Sequence, residues 1–256
     1  MESVIRVDGV SQRFGAGAGA VDALIDIDFH VGPHEFVSIV GPSGCGKTTV
    51  LRIVAGLLAP SAGEIRIHGQ PVRGPHPTVG IVFQRPVLLP WRSVRANIEL
   101  QMEMRNLHRN GYRERTQELI DLAGLQGFEE RLPHELSGGM QQRVSLCRAL
   151  VHDPELLLMD EPFGALDAMT RELMNMELQR IWMEQRKTVL FITHSISEAV
   201  LLSDRVLVMT PRPGRIARAL RVEIPRPRDL SAMQRPEFLD IGREVRRLLD
   251  AAGTLD

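Results

Sequence analysis

The sequence predicts an α/β fold: a mainly parallel sheet carrying a phosphate-binding loop, an N-terminal antiparallel β subdomain, and an inserted α-helical subdomain. Three observations carry this. Gly41-Pro42-Ser43-Gly44-Cys45-Gly46-Lys47-Thr48-Thr49 fits G-x-x-x-x-G-K-[ST] and sits between an apolar run that reads as a strand and a pattern that reads as a helix. Short apolar runs at 78–83, 155–160, 187–193 and 205–210 have the composition of strands buried on both faces. Between 86 and 151 the spacing is helical, with no strand among the segments.

In chain order, 3–8 and 21–31 alternate apolar and polar residues, as half-buried strands do, and form a hairpin around the flexible Gly/Ala loop 15–20. Residues 35–40 are the buried strand before the phosphate loop, and 49–58 the helix after it. Residues 63–68 alternate again, and 71–77 is a turn-rich connection. The strand 78–83 delivers Gln84 at its C-terminal end. Helical spacing follows at 93–107, 112–122 and 137–151. The strand 155–160 leads into a turn and a helix over 168–185. The strand 187–193 ends at His194, and 205–210 and 215–224 complete the sheet. This divides residues 1–224 into a core of 1–85 and 152–224 with a helical insertion at 86–151. Residues 225–256 are a short tail, with Phe238, Ile241, Val245 and Leu248 on one face of an amphipathic helix. In that tail Arg226 and Arg228 read as a solvated linker; contact with a partner or acidic lipid is the alternative.

The chemistry follows from where these residues fall. The glycines let the loop curl and point its N–H groups inward, and the helix adds its positive end. Lys47 would reach the terminal phosphates, and the Thr48 hydroxyl would bind Mg²⁺. The chain holds only two lysines, Lys47 and Lys187, among 31 basic residues. A compact ammonium fits inside a phosphate-wrapping loop where a planar guanidinium would not. In an α/β sheet, ligands bind outside the carboxyl ends of the strands. Gln84 there can hold Mg²⁺ or the attacking water. Asp160 ends a buried strand where a metal would lie, and the adjacent Glu161 can act as general base. His194, on the same edge, is placed for a phosphate or water contact. Leu136-Ser137-Gly138-Gly139-Met140 opens the last helix of the insertion. Ser137 is a good N-cap, and the glycines leave N–H groups exposed, so this is a second anion-binding helix start. Phe14 can stack on an adenine ring or act as a local hydrophobic plug.

Composition excludes some functions. A net charge of -1 argues against nucleic acid as the main partner. Cys45 and Cys147 have no metal-site or disulfide spacing. No apolar run approaches the roughly 18 residues needed to span a bilayer, and the first six residues do not read as a signal peptide. A membrane role would therefore come through a partner.

Taken together, these motifs resemble the ATP-binding cassette (ABC) ATPases along nearly all of the chain. Residues 41–49 match the Walker A loop, Gln84 the Q-loop and 156–160 the Walker B strand. Leu136 to Met140 match the LSGGQ signature, with Met140 where Gln is more usual. Ala165-Leu166-Asp167 match the D-loop, His194 the switch histidine and Phe14 the A-loop aromatic. The resemblance implies a P-loop NTPase (RecA-like) core that binds ATP with Mg²⁺ held by Thr48, Gln84 and Asp160. It also implies a head-to-tail homodimer of cassettes. Each ATP would lie between one chain's Walker A loop and the partner's signature helix.

A narrower resemblance points to the nitrate/sulfonate/taurine group of bacterial importers. It rests on the stretch from Val87 to Ile98, on Ser-Gly-Gly-Met-Gln-Gln-Arg143, and on the stretch from Met209 to Ile216. It implies a peripheral ATPase on the cytoplasmic face of the inner membrane. Its partners would be two transmembrane permease subunits and, indirectly, a solute-binding protein. Trp91, beside Leu88 and Leu89, would be an apolar anchor in the groove that receives a permease helix. Sulfonate, taurine, nitrate, a vitamin precursor or an aromatic acid all remain open as cargo. An exporter ATPase, a soluble ABC ATPase and a non-hydrolysing nucleotide-binding module are the alternatives.

Overall fold

The computed structural model describes residues 3–107, 112–164 and 166–251. Among the described residues ten strands form two sheets. β1 (Ile5–Phe14), β2 (Val21–Val31), β4 (Ala62–Ile67) and β5 (Gln70–Pro71) make an antiparallel sheet in the order β2-β1-β4-β5. β3 (Phe36–Val40), β6 (Val79–Val82), β7 (Leu156–Asp160), β8 (Thr188–Thr193), β9 (Arg205–Met209) and β10 (Ile216–Arg221) make the second, in the order β10-β9-β3-β8-β7-β6. Only β10 runs antiparallel to its neighbour there.

The apolar runs become central strands because both faces of this sheet are covered. Side chains alternate between two cores. Phe36, Val40, Leu157, Met159, Val189, Phe191, Val206 and Val208 enter one core. Val37, Ile39, Leu156, Leu158, Leu190, Ile192, Leu207 and Met209 enter the other. The second core is shared with the antiparallel sheet and with α1 (Lys47–Val54). The first is covered by α2 (Val94–Met104), α3 (Tyr112–Leu122), α4 (Gly138–Leu150), α5 (Ala168–Gln185), α6 (Ile196–Leu202) and α7 (Pro236–Ala251). With no solvent face to mark, these strands show no polar alternation.

The helices of residues 86–151 meet the sheet through α4 and β6. At Gly80 a Cβ would stand 2.5 Å from the Ala149 carbonyl oxygen, so only glycine permits this approach. Ser93 caps α2 by accepting from the Ala96 N–H at 3.3 Å.

Three differences from the sequence reading have physical causes. α1 begins at Lys47, two residues early, because Gly46 already takes the left-handed turn (φ 105°) that starts the helix. α6 was not anticipated: it is seven residues long, and its Ala199–Leu202 stretch is buried all round, which hides helical periodicity. The third is a correction to the tail. Pro225 to Arg228 is no solvated linker. Arg228 is 1% exposed, and its guanidinium donates to five carbonyls: Ile224 (2.9 Å), Val200 (2.8 Å), Leu201 (3.2 Å), Ser203 (2.7 Å) and Val222 (3.2 Å). Arg226 lies 4.1 Å over the Trp182 ring and pairs with Asp204. Neither guanidinium is presented to lipid. The face of α7 is as read: Phe238 and Val245 are buried, and Ile241 and Leu248 pack against the same core.

Candidate functional site

Parallel pairing sets the site. Val40 stands opposite Thr193, Asp160 opposite Ile192, and Val82 opposite Met159. The strands therefore end together, and the residues after them share one edge: the loop 41–46, Gln84, Glu161 and His194.

The loop turns through left-handed Gly44 (φ 75°) and Gly46 (φ 105°). A Cβ on Gly46 would collide with Leu24 Cδ2 at 2.5 Å, so this glycine also seats the loop on β2. Ser43 and Gly44 are exposed at the crest, Gly41 and Cys45 are buried beneath it, and Pro42, Thr48 and Thr49 are part-buried. Burial pushes the Cys45 thiol up, against the opposing pull of Lys47. Lys47 opens α1 and is 6% exposed; its Nζ donates to the carbonyls of Gly41 (2.8 Å) and Pro42 (3.0 Å). The ammonium is thus held across the mouth of the loop by the loop's own backbone.

Next to it, Thr48 Oγ1 donates to Asp160 Oδ1 at 3.1 Å. Burial raises the Asp160 carboxyl above its ordinary range, and the Thr48 hydroxyl partly offsets this. Glu161 follows in a left-handed conformation (φ 44°) that is costly for a non-glycine residue. Its N–H donates to the Ile192 carbonyl at 2.9 Å, which ties it to β8. Its Oε2 accepts from Gln84 Nε2 at 3.2 Å and lies 3.3 Å from His194 Nδ1, and its Oε1 is 3.9 Å from Lys47 Nζ. Side-chain contacts thus make two sets, Lys47–Glu161–Gln84–His194 and Thr48–Asp160, which adjoin because Lys47 precedes Thr48 and Asp160 precedes Glu161 in the chain. An anion held in the loop would meet Lys47 on one side and the Glu161–His194–Gln84 set on the other.

The remaining predicted residues stand elsewhere. Ser137 caps α4, accepting from the Met140 N–H at 3.3 Å; Ser137 and Gly138 are exposed, while Gly139 and Met140 are part-buried. Among the described residues no hydrogen bond or ion pair joins Ser137 to Met140 to the phosphate loop. Asp167 caps α5 through the Thr170 N–H at 3.0 Å, and bonds to Thr170 hold its carboxyl below the usual range. Ala165 lies outside the described residues. Phe14 ends β1 opposite Val21 and is 43% exposed, so its ring is free to receive a flat partner.

The family profile described as "ABC transporter" matches residues 24–164. The chain belongs to the ABC transporter family. Taurine import ATP-binding protein TauB of Jannaschia sp. is 44% identical over 246 residues, 94% of this chain and 92% of its own length. Nitrate import ATP-binding protein NrtC of Synechococcus elongatus is 45% identical over 250 residues, 96% of this chain and 38% of its own length. A dimeric ATP-binding cassette solved in a post-hydrolysis state with ADP and Pi matches with a TM-score of 0.77 at 31% identity, over 86% of this chain and 99% of that one. The protein is thus an ATP-binding, ATP-hydrolysing cassette with a P-loop NTPase core.

Sequence reasoning missed the residues that brace this cassette's edge. Arg148 of α4 donates to the carbonyls of Val87 (2.8 Å) and Pro86 (2.7 Å), and Gln142 donates to the Phe83 carbonyl (3.3 Å). The helix that begins with the signature therefore grips the chain on both sides of Gln84. It also holds Val87, a β-branched residue with φ 46° whose side chain faces solvent. Arg171 and Glu198 were missed as well. A local signal existed: Ser195-x-x-Glu198 has the capping-box spacing, and Ser195 Oγ does accept from the Glu198 N–H at 3.3 Å.

Proposed function

We propose that this cassette powers a bacterial importer for small anions of the sulfonate, taurine or nitrate kind. It works as a homodimer on the cytoplasmic face of the plasma membrane, beneath two permease subunits fed by a solute-binding protein. The observation that carries the hydrolytic part is the gathering of Lys47, Glu161, Gln84 and His194 in contact, with the Thr48–Asp160 pair beside them, at the ends of adjacent strands. The taurine and nitrate import relatives support the cargo class. Among the described residues no helix is long and apolar enough to cross a membrane.

In this reading the loop N–H groups and Lys47 bind the phosphates. Lys47 exchanges its bonds to the Gly41 and Pro42 carbonyls for phosphate oxygens. Thr48 Oγ, Asp160 and the Gln84 amide oxygen are hard oxygen donors that suit Mg²⁺. Asp160 fits this role because it is a buried carboxylate whose hydrogen-bond partner is only the Thr48 hydroxyl among the described residues. When bound, the ion neutralises phosphate charge. Glu161 accepts the proton of the attacking water at a carboxylate oxygen, while Gln84 and His194 fix that carboxylate. Phe14 stacks on the base. Ser137, Gly138, Gly139 and Met140 of the second copy, with its Asp167, complete the site from outside. Val87 and Trp91, exposed by 61% and 72%, are the apolar surface that meets the permease.

The decisive experiment is purification from membranes with the neighbouring permeases, followed by phosphate release with loaded solute-binding protein. Stimulation by a taurine-, sulfonate- or nitrate-loaded protein is expected; a chain that co-purifies with no membrane protein would overturn the reading. Two variants refine it. Lys47→Ala weakens ATP binding roughly tenfold to hundredfold, since a hydrogen bond to a charged group contributes about 1.5–3 kcal/mol; nucleotide titration measures it. Trp91→Ala weakens association with the permeases by about 30-fold, the effect of losing an aromatic anchor worth about 2 kcal/mol, while the isolated chain keeps its hydrolysis. Pull-down alongside phosphate release reads both.

A further inference from the structure

Glu161 and His194 come from different strands, so their 3.3 Å separation depends on the two turns that follow β7 and β8. The first turn runs from Glu161 into α5: the Gly164 N–H donates to the Glu161 carbonyl (3.1 Å) and the Leu166 N–H to the Phe163 carbonyl (3.1 Å). The second carries His194 between Thr193 and Ser195, and the Ser195 N–H donates back to Thr193 Oγ1 at 2.9 Å. Among the described residues, Glu161 N–H to the Ile192 carbonyl is the main-chain bond that joins the two turns.

Behind the reacting edge, two charged side chains join them. Arg171, in the first turns of α5, donates from Nη2 to the Leu166 carbonyl (2.8 Å) and from Nε to the Phe163 carbonyl (3.3 Å). Its Nε also lies 3.7 Å from Glu198 Oε1. Glu198, on α6 and 6% exposed, takes the Thr193 hydroxyl on its other oxygen at 2.5 Å. A carboxylate buried to this degree is costly unless charge and hydrogen bonds compensate it. Here the compensation is what connects the Glu161 turn to the His194 turn.

We propose that Arg171 and Glu198 are positioning residues for ATP hydrolysis, an ion pair that sets the spacing of Glu161 and His194 without touching the nucleotide. The proposal rests on the assignment of Glu161 and His194 above. Misplacing a reacting group by about 1 Å costs on the order of 10²-fold in rate, so a modest loosening of either turn is felt in turnover. ATP binding uses the loop, Lys47 and the base contact, none of which this pair braces, so affinity is spared.

The test uses the full chain. Glu198→Gln keeps an acceptor for Thr193 but removes the charge facing Arg171; Arg171→Met removes the donors to Phe163 and Leu166. Each is expected to lower kcat about tenfold or more by phosphate release, with the Kd for ATP within about twofold of the parent. The double variant should be no slower than the slower single one, because either change breaks the same link. Arg171→Lys, which keeps a cation for Glu198, should recover part of the rate. A kcat within twofold of the parent in folded Glu198→Gln, multiplying losses in the double variant, or equal losses in kcat and ATP affinity would each overturn the proposal. If Glu198→Gln does not fold, the Arg171→Met and Arg171→Lys pair decides by the same kcat and Kd criteria. Undiminished hydrolysis in Glu161→Gln would instead overturn the underlying assignment.

Discussion

Glu161→Gln is expected to lower phosphate release by roughly 10²- to 10⁴-fold, the range for loss of a general base. The substitution preserves shape, so the contacts with Gln84 and His194 can be remade by the amide, and the left-handed backbone at 161 is imposed by bonds from its own N–H and carbonyl rather than by its side chain. What disappears is a proton acceptor and one negative charge 3.9 Å from Lys47. Losing that charge removes repulsion toward an incoming phosphate, so ATP binding should be unchanged or tighter. ATP should therefore gather two chains into a dimer that persists, because the step that opens it is blocked. Phosphate release measures the first effect and size-exclusion chromatography with and without ATP the second. A parent-like rate in this variant would remove Glu161 from the role of base and leave His194 to be tested in its place.

The parts of this site that a reader of the sequence can find are those encoded locally. The phosphate loop announces itself because the glycines, Lys47 and Thr48 must be contiguous to wrap a phosphate. Asp160, Glu161, Gln84 and His194 are legible because each stands at or just past the end of a strand read from an apolar run, and parallel strands must end together on one edge. The braces are different. Arg171 and Glu198 lie on different helices, and Arg148 reaches back more than sixty positions, with Val87 and Pro86 separated from it by |i−j| of 61 and 62. The capping-box spacing Ser195-x-x-Glu198 marks Glu198 as part of a helix start, but no local pattern pairs it with Arg171 or marks Arg148. The tail was misread for the same reason: Pro225-Arg226-Pro227-Arg228 has the composition of a linker, and the α6 and post-β10 carbonyls and the Trp182 ring that hold its arginines are brought there only by the fold. α6 escaped because a short helix buried on all sides loses the periodicity by which helices are recognised.

Arg228→Met should lower stability by about 3–5 kcal/mol, since hydrogen bonds to a charged group contribute about 1.5–3 kcal/mol each and relaxation recovers part of the sum. Val200, Leu201 and Ser203 sit at the end of α6, where carbonyls lack partners within the helix, and the two N–H groups of Arg228 Nη1 are shared among all three. Nε and Nη2 serve Ile224 and Val222 on the segment leaving β10, so one guanidinium fastens helix and strand together. Gln179 fixes the same residue from α5: the Arg228 N–H donates to its Oε1 (2.8 Å), and its Nε2 donates to the Arg228 carbonyl (2.7 Å). Burial, with Arg226 nearby, pushes the Arg228 guanidinium down to about 10, which still leaves it charged at neutral pH. Methionine fills much of the volume but leaves the five carbonyls without these donors, each orphan costing about 1–3 kcal/mol before relaxation and water entry. The melting temperature should fall by roughly 6–20 °C for a chain of this size. Arg228→Lys should recover less than half of that, since a single ammonium with three donors cannot span acceptors that a planar fork reaches at once. Thermal melts of the two variants decide it: a drop of under 2 °C for methionine would mean that the clasp holds nothing and that the tail behaves as the linker its composition suggests, and full recovery by lysine would mean that one ammonium serves these carbonyls as well as the planar fork does.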